Sequence, residues 1–142
     1  MRKNKYTLEV PLRAFIEGQI EYFPENKRQL ATLKASMIPS QITKYGHRTG
    51  GFDSEQRPTE DTAIRIASDQ YIFMLELHVT TIEAVYNALS DIDKELIRLK
   101  YWSGELTPDG IALKLNMDRA TMYRHLNAII VEVGRRLGYV NL

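Results

Sequence analysis

The 142-residue chain contains no cysteine, which removes disulfides and thiolate metal sites from consideration. Its three histidines, His47, His78 and His125, are scattered without ligand spacing, so neither a metal nor any other cofactor is expected. No apolar run reaches the length of a membrane span or a secretory h-region, and the chain is expected to stay in the cytoplasm, away from membranes. Glycine is sparse; the Gly50-Gly51 pair is not followed by the Lys-Ser or Lys-Thr of a phosphate cradle, which argues against nucleotide binding. Acidic pairs such as Asp91 with Asp93, or Asp109 with Asp118, sit where helix caps and solvated faces use them, and no nucleophile has a recognisable setting. An enzyme is not expected.

What is present is an apolar share of 44% beside 26% charged residues, the balance of a soluble globular protein of one domain or two small helical lobes. The net charge of +1 conceals an asymmetry. Arg119, Arg124, Arg135 and Arg136 outnumber Glu132 in residues 119–142, whereas Asp61, Asp69, Glu76 and Glu83 outnumber Arg65 in residues 61–90. A polyanionic partner would meet the basic end.

The most informative stretch is Thr107 to Leu126, TPDGIALKLNMDRATMYRHL, which reads as two short helices joined by a tight turn, the layout of a helix-turn-helix. Thr107 suits an N-cap, Pro108 the N1 position, and Asp109 the positive helix end. Ile111, Ala112, Leu115, Met117, Met122 and Leu126 are the apolar positions, with Ala112 small enough for a close helix crossing. Asn116 tolerates a left-handed backbone, and Asp118 can cap the second helix. With Met122 and Leu126 turned inward, the helical period puts Arg119, Ala120, Tyr123, Arg124 and Asn127 on the opposite face. Arg can pair with guanine, Asn with adenine, and Ala can touch a thymine methyl in the major groove, each good pair contributing about 1–3 kcal/mol of discrimination. Thr107, Lys114, Thr121, Arg135 and Arg136 are the expected phosphate contacts, which would make binding fall with salt. The alternative is an ordinary helical hairpin whose outer face is merely polar.

Elsewhere the chain is also helical. Met1 to Lys5 is basic and expected to be frayed. Pro11 opens a helix to about Phe23, and a second runs from Glu25 to about Met37, where Pro39 is expected to stop it. Pro39 to Pro58 then reads as a long loop, either a mobile linker or a DNA-contacting arm. Thr59 can cap the longest helix, from Glu60 to about Leu89. Its stripe Ile64, Ser68, Tyr71, Leu75, His78, Ile82, Val85, Leu89 is spaced either for a homodimer seam or for packing within the chain, with His78 a hydrogen-bonded core residue or a pH switch. Asp91 is expected to cap a scaffold helix to Trp102, turning Ile92, Leu96 and Leu99 toward the helix-turn-helix, with Tyr101-Trp102 as an apolar plug. Ile129, Ile130, Val133 and Leu137 carry the last stripe to Gly138.

Residues 89–138, from Leu89 through Tyr101-Trp102, Ile111-Ala112, Leu115, Met117, Thr121, Met122 and Leu126, resemble region 4 of bacterial sigma factors. That region grips the promoter −35 element; Asn116 stands where the family usually has glycine. Over nearly the whole chain, Tyr22-Phe23-Pro24, Gly50-Gly51, Thr59-Glu60, Tyr101-Trp102 and the closing Arg135-Arg136-Leu137-Gly138 resemble the RinA-like phage late-gene transcriptional activators. The resemblance implies activation of phage packaging and structural genes in the host cytoplasm, with host RNA polymerase as a partner beside double-stranded DNA. The residues themselves imply DNA binding alone.

The expected fold is therefore all-α. Residues 1–58 hold two helices and the loop, 59–90 the long helix as core or dimer seam, and 91–142 a helix-turn-helix DNA-binding domain. The expected function is sequence-specific transcriptional activation. A small terminase subunit, the DNA-packaging adaptor, is the alternative, although that family usually puts the motif at its N-terminus.

Overall fold

The computed structural model describes residues 8–46 and 60–139, and these are all-helical, with no strand among them. Six helices follow in order: α1 (Val10–Glu21), α2 (Phe23–Gly46), α3 (Glu60–Asn87), α4 (Asp91–Ile97), α5 (Pro108–Lys114) and α6 (Arg119–Arg136). A π-helical turn over Arg98–Ser103 continues α4.

The chain divides into two compact units, one of Met1–Pro24 with His78–Leu142 and the other of Glu25–Leu77. In the first, apolar residues of several helices form one core. Ile16 and Ile20 of α1, Val79, Ile82 and Val85 of α3, Leu96 and Leu99, Ile111 and Ala112 of α5, and Met122, Leu126, Ile130 and Val133 of α6 are all buried. Burying each large side chain contributes about 1.5–3 kcal/mol relative to exposure. In the second unit Leu30 and Leu75 are buried. Lys34 pairs with Glu76 at 2.5 Å, and the Tyr71 hydroxyl donates to Gln29 Oε1 at 3.0 Å. The long-helix stripe is thus internal from Leu75 to Val85, whereas Ile64 and Tyr71 are exposed.

Four sequence expectations change. Helix α2 does not stop at Pro39 but continues to Gly46. A proline deletes one backbone donor, and no glycine lies between Gly18 and Gly46 to end the helix. The remainder of the expected loop, the basic residues Met1 to Lys5 and the Thr59 cap lie outside the described residues. Ser90, not Asp91, caps α4, its side chain accepting from the Asp93 N–H at 3.2 Å; Asp91 instead enriches the first turn, where a negative charge also suits the dipole.

Ile92 does not face the C-terminal helices and is 54% exposed, whereas Leu96 and Leu99 are buried as expected. Trp102, expected as a plug between the scaffold helix and the helix-turn-helix, packs on α1, Phe23 and α3. Its indole N–H donates to the Ile20 carbonyl at 2.9 Å, and its ring lies against Phe23 and Tyr86, with centroids 5.7 and 5.1 Å away. A π turn holds one residue more than an α turn and so rotates the side chains beyond it around the helix axis. That rotation carries Trp102 toward α1 and α3 while Leu99 stays beneath the C-terminal helices. Gly104, at φ 67°, then ends the segment.

Candidate nucleic-acid interface

Helices α5 and α6 are positioned by short-range devices that the sequence announces. The Thr107 side chain accepts from the Gly110 N–H at 3.2 Å with Pro108 in the first turn, and Asp118 accepts from the Thr121 N–H at 2.7 Å. Between them Asn116 adopts φ 54°, and the Met117 N–H returns to the Ala112 carbonyl at 3.0 Å. Ala112 is buried, as are Ile111, Met122 and Leu126; a larger side chain there would force the two helices apart.

The outward face of α6 carries Arg119, Ala120, Tyr123 and Arg124, all exposed, and Asn127, which is half-buried. Further along the helix the same side is closed: Ile130, Val131 and Gly134 are buried, and α1 packs against α6. The open length from Arg119 to Asn127 is therefore about 13 Å at 1.5 Å per residue, compatible with the width of a major groove.

Polar contacts along this face are specific. The Arg119 guanidinium lies 3.4 Å from the Asp109 carboxylate and 5.6 Å from the centre of the Tyr123 ring. Arg124 donates to the Thr121 hydroxyl oxygen at 3.1 Å. Thr121, through its hydroxyl and its backbone N–H, holds the Asp118 carboxyl below its ordinary range. His125 Nδ1 lies 2.7 Å from the Asp93 carboxylate, tying α6 to α4.

The expected phosphate contacts are less uniform. Lys114 is exposed. The Thr107 and Thr121 hydroxyls serve the caps and Arg124 just described. Arg135 and Arg136 both embrace Glu132, at 2.6 and 2.8 Å, and the two guanidinium groups pull the Glu132 carboxyl down to about 2. That triad carries one net positive charge rather than two. The helical period further sets Arg136 roughly 180° around α6 from Asn127, on the far side from the open face.

One residue on this face had no local sequence signal. Arg13 of α1 donates from Nη1 to Asn127 Oδ1 at 2.5 Å and from Nε to Glu17 at 2.9 Å. An arginine inside a core-forming helix is ordinarily read as solvated, and only the docking of α1 beside α6 reveals its partner. Tyr101, half-buried nearby, has its phenol pushed upward by burial and by Glu17 and Glu21, and so stays protonated.

Among the described residues no cluster of His, Cys, Asp or Glu could hold a metal ion, and no helix is long and apolar enough to cross a membrane. A family model described as "Protein of unknown function (DUF722)" matches residues 22–134. No curated protein and no solved structure matches the chain.

Proposed function

The chain belongs to the DUF722 family, and for this member of it we propose sequence-specific binding of double-stranded DNA by a helix-turn-helix made of α5 and α6. The observation that carries the reading is the capped, exposed start of α6, where Arg119, Ala120, Tyr123 and Arg124 project beyond the core. Inserted in the major groove, Arg124 pairs with a guanine edge through the nitrogens not spent on Thr121, and Ala120 meets a thymine methyl. Lys114 and Arg135 are the better phosphate ligands. Arg135 lies along the same edge of α6 as Arg124, whereas Arg136 points away.

The finer role, activation of phage late genes by recruiting host RNA polymerase, is supported by the resemblance to sigma factor region 4 and to RinA-like activators. Selection from a randomised duplex library, followed by anisotropy titration, tests the DNA reading. Arg124→Ala is expected to lose roughly tenfold or more in affinity for the selected site and little for random duplex, as a base contact should. Equal losses on both would remove Arg124 from base recognition, and absence of any selected sequence would remove the function. Footprinting then separates the roles. Protection near a −35 position supports activation, and protection confined to a packaging site, with a ring-sized mass by light scattering, favours the terminase adaptor.

A further inference from the structure

Arg13 brings a charged side chain from another helix onto the last residue of the reading row, and its geometry bears on what Asn127 can read. An asparagine that selects adenine uses both ends of its amide: Oδ1 accepts from adenine N6 while Nδ2 donates to N7. Arginine is a donor only, so the atom it meets on Asn127 is the amide oxygen, at 2.5 Å. The guanidinium is itself held, because its Nε donates to Glu17 one turn further along α1 at 2.9 Å. Arg13 and Asn127 stand at the end of the open face, beyond which Ile130 and Val131 are buried and α1 packs against α6.

We propose that Arg13 is a positioning residue that masks the adenine-reading geometry of Asn127, so that the wild-type protein does not select adenine at the base pair facing Asn127. Glu17 offsets the charge of Arg13, which makes the pair a weak phosphate ligand and a good clamp. Oδ1 keeps a second lone pair, but turning the amide so that Oδ1 and Nδ2 both meet adenine works against a charge-assisted hydrogen bond, the stronger class of such contacts. This inference rests on the proposed DNA reading by α6.

Randomised duplex selection compares the wild type, Arg13→Met, Asn127→Ala and the double variant. Methionine keeps an unbranched stem against α6 while removing the donor. Arg13→Met is expected to gain roughly tenfold preference for adenine at one operator position, with the other positions unchanged. The gain is lost in the double variant, and Arg13→Lys, which restores a donor, returns the profile toward wild type. Wild-type selection of adenine that disappears in Asn127→Ala overturns the inference. So does a uniform loss of affinity in Arg13→Met with a shallower salt dependence, which would make Arg13 a phosphate ligand, or an unchanged Arg13→Met profile. A wild type that selects no sequence at all overturns the DNA reading itself, a result separate from these.

Discussion

The imidazole of His78 lies edge-on to Phe15, ring centres 6.0 Å apart, and its Nε2 is buried with no hydrogen-bond partner among the described residues. Burial lowers its pKa below the ordinary 6.5, because the charged form would lose its hydration in apolar surroundings. The linkage has a definite sign. Above pH 6.5 folded and unfolded chains both carry neutral imidazole and stability is unaffected. As pH falls below that value the unfolded chain takes up a proton that the folded one refuses, so stability declines until the folded-state pKa is passed. Thermal melts at about pH 7.5 and about pH 5 are expected to show a smaller acid-induced drop for His78→Leu than for wild type, with the variant no less stable at the higher pH. An unchanged acid drop would mean that the imidazole ionises in place. The hydrogen-bonded core histidine expected from sequence is therefore corrected to a buried one whose Nε2 has no partner among the described residues. At Glu132 the sign is the ordinary carboxylate one. Its pKa is held near 2, and the stability contributed by its two arginines is lost as pH falls from about 4.5 toward about 2.

Among the elements, the turn between α5 and α6 is the most sharply specified. Asn116 sits at φ 54°, a region that costs an ordinary L-residue roughly 1–2 kcal/mol. Asn116→Val is expected to destabilise by about that amount, and Asn116→Gly to stay within about 0.5 kcal/mol, since relief of strain is offset by a freer unfolded chain. Urea denaturation at neutral pH measures both; a valine variant as stable as wild type would mean that the turn relaxes to another conformation. Glycine adopts positive φ without a Cβ clash, so the substitution should leave α6 in position. Two other elements escaped a local reading. The run of α2 through Pro39 depends on helical residues on both sides outweighing one lost bond. The π turn after Ile97, which sets where Trp102 turns, has no signal in nearest-neighbour spacing.

At the scale of the whole molecule, Trp102 links segments distant in sequence. The chain's single tryptophan donates to Ile20 and packs on Phe23 and Tyr86, beside an apolar recess lined by Ile82, Val85, Ile129 and Val133. Trp102→Phe, which keeps a ring but loses the donor to the Ile20 carbonyl, is expected to cost about 1–3 kcal/mol. Trp102→Ala should cost about 3–5 kcal/mol and loosen α1, which carries Arg13. Circular-dichroism melts measure the two costs, and an alanine variant no worse than phenylalanine would show that the ring contributes little beyond its hydrogen bond.

The all-α class, the starts of α5 and α6, the left-handed Asn116 and the inward Met122 and Leu126 were all legible in the sequence. Each depends on groups within about four residues of one another, so composition and spacing carry the necessary information. Tertiary structure decided where the open face of α6 ends, which way Trp102 turns, and what holds Asn127. The Arg13–Asn127 and Trp102–Ile20 contacts join residues 114 and 82 positions apart. Such contacts exist only after α1 has docked, because burial of Ile16 and Ile20 selects that arrangement and the polar partners are carried along with it.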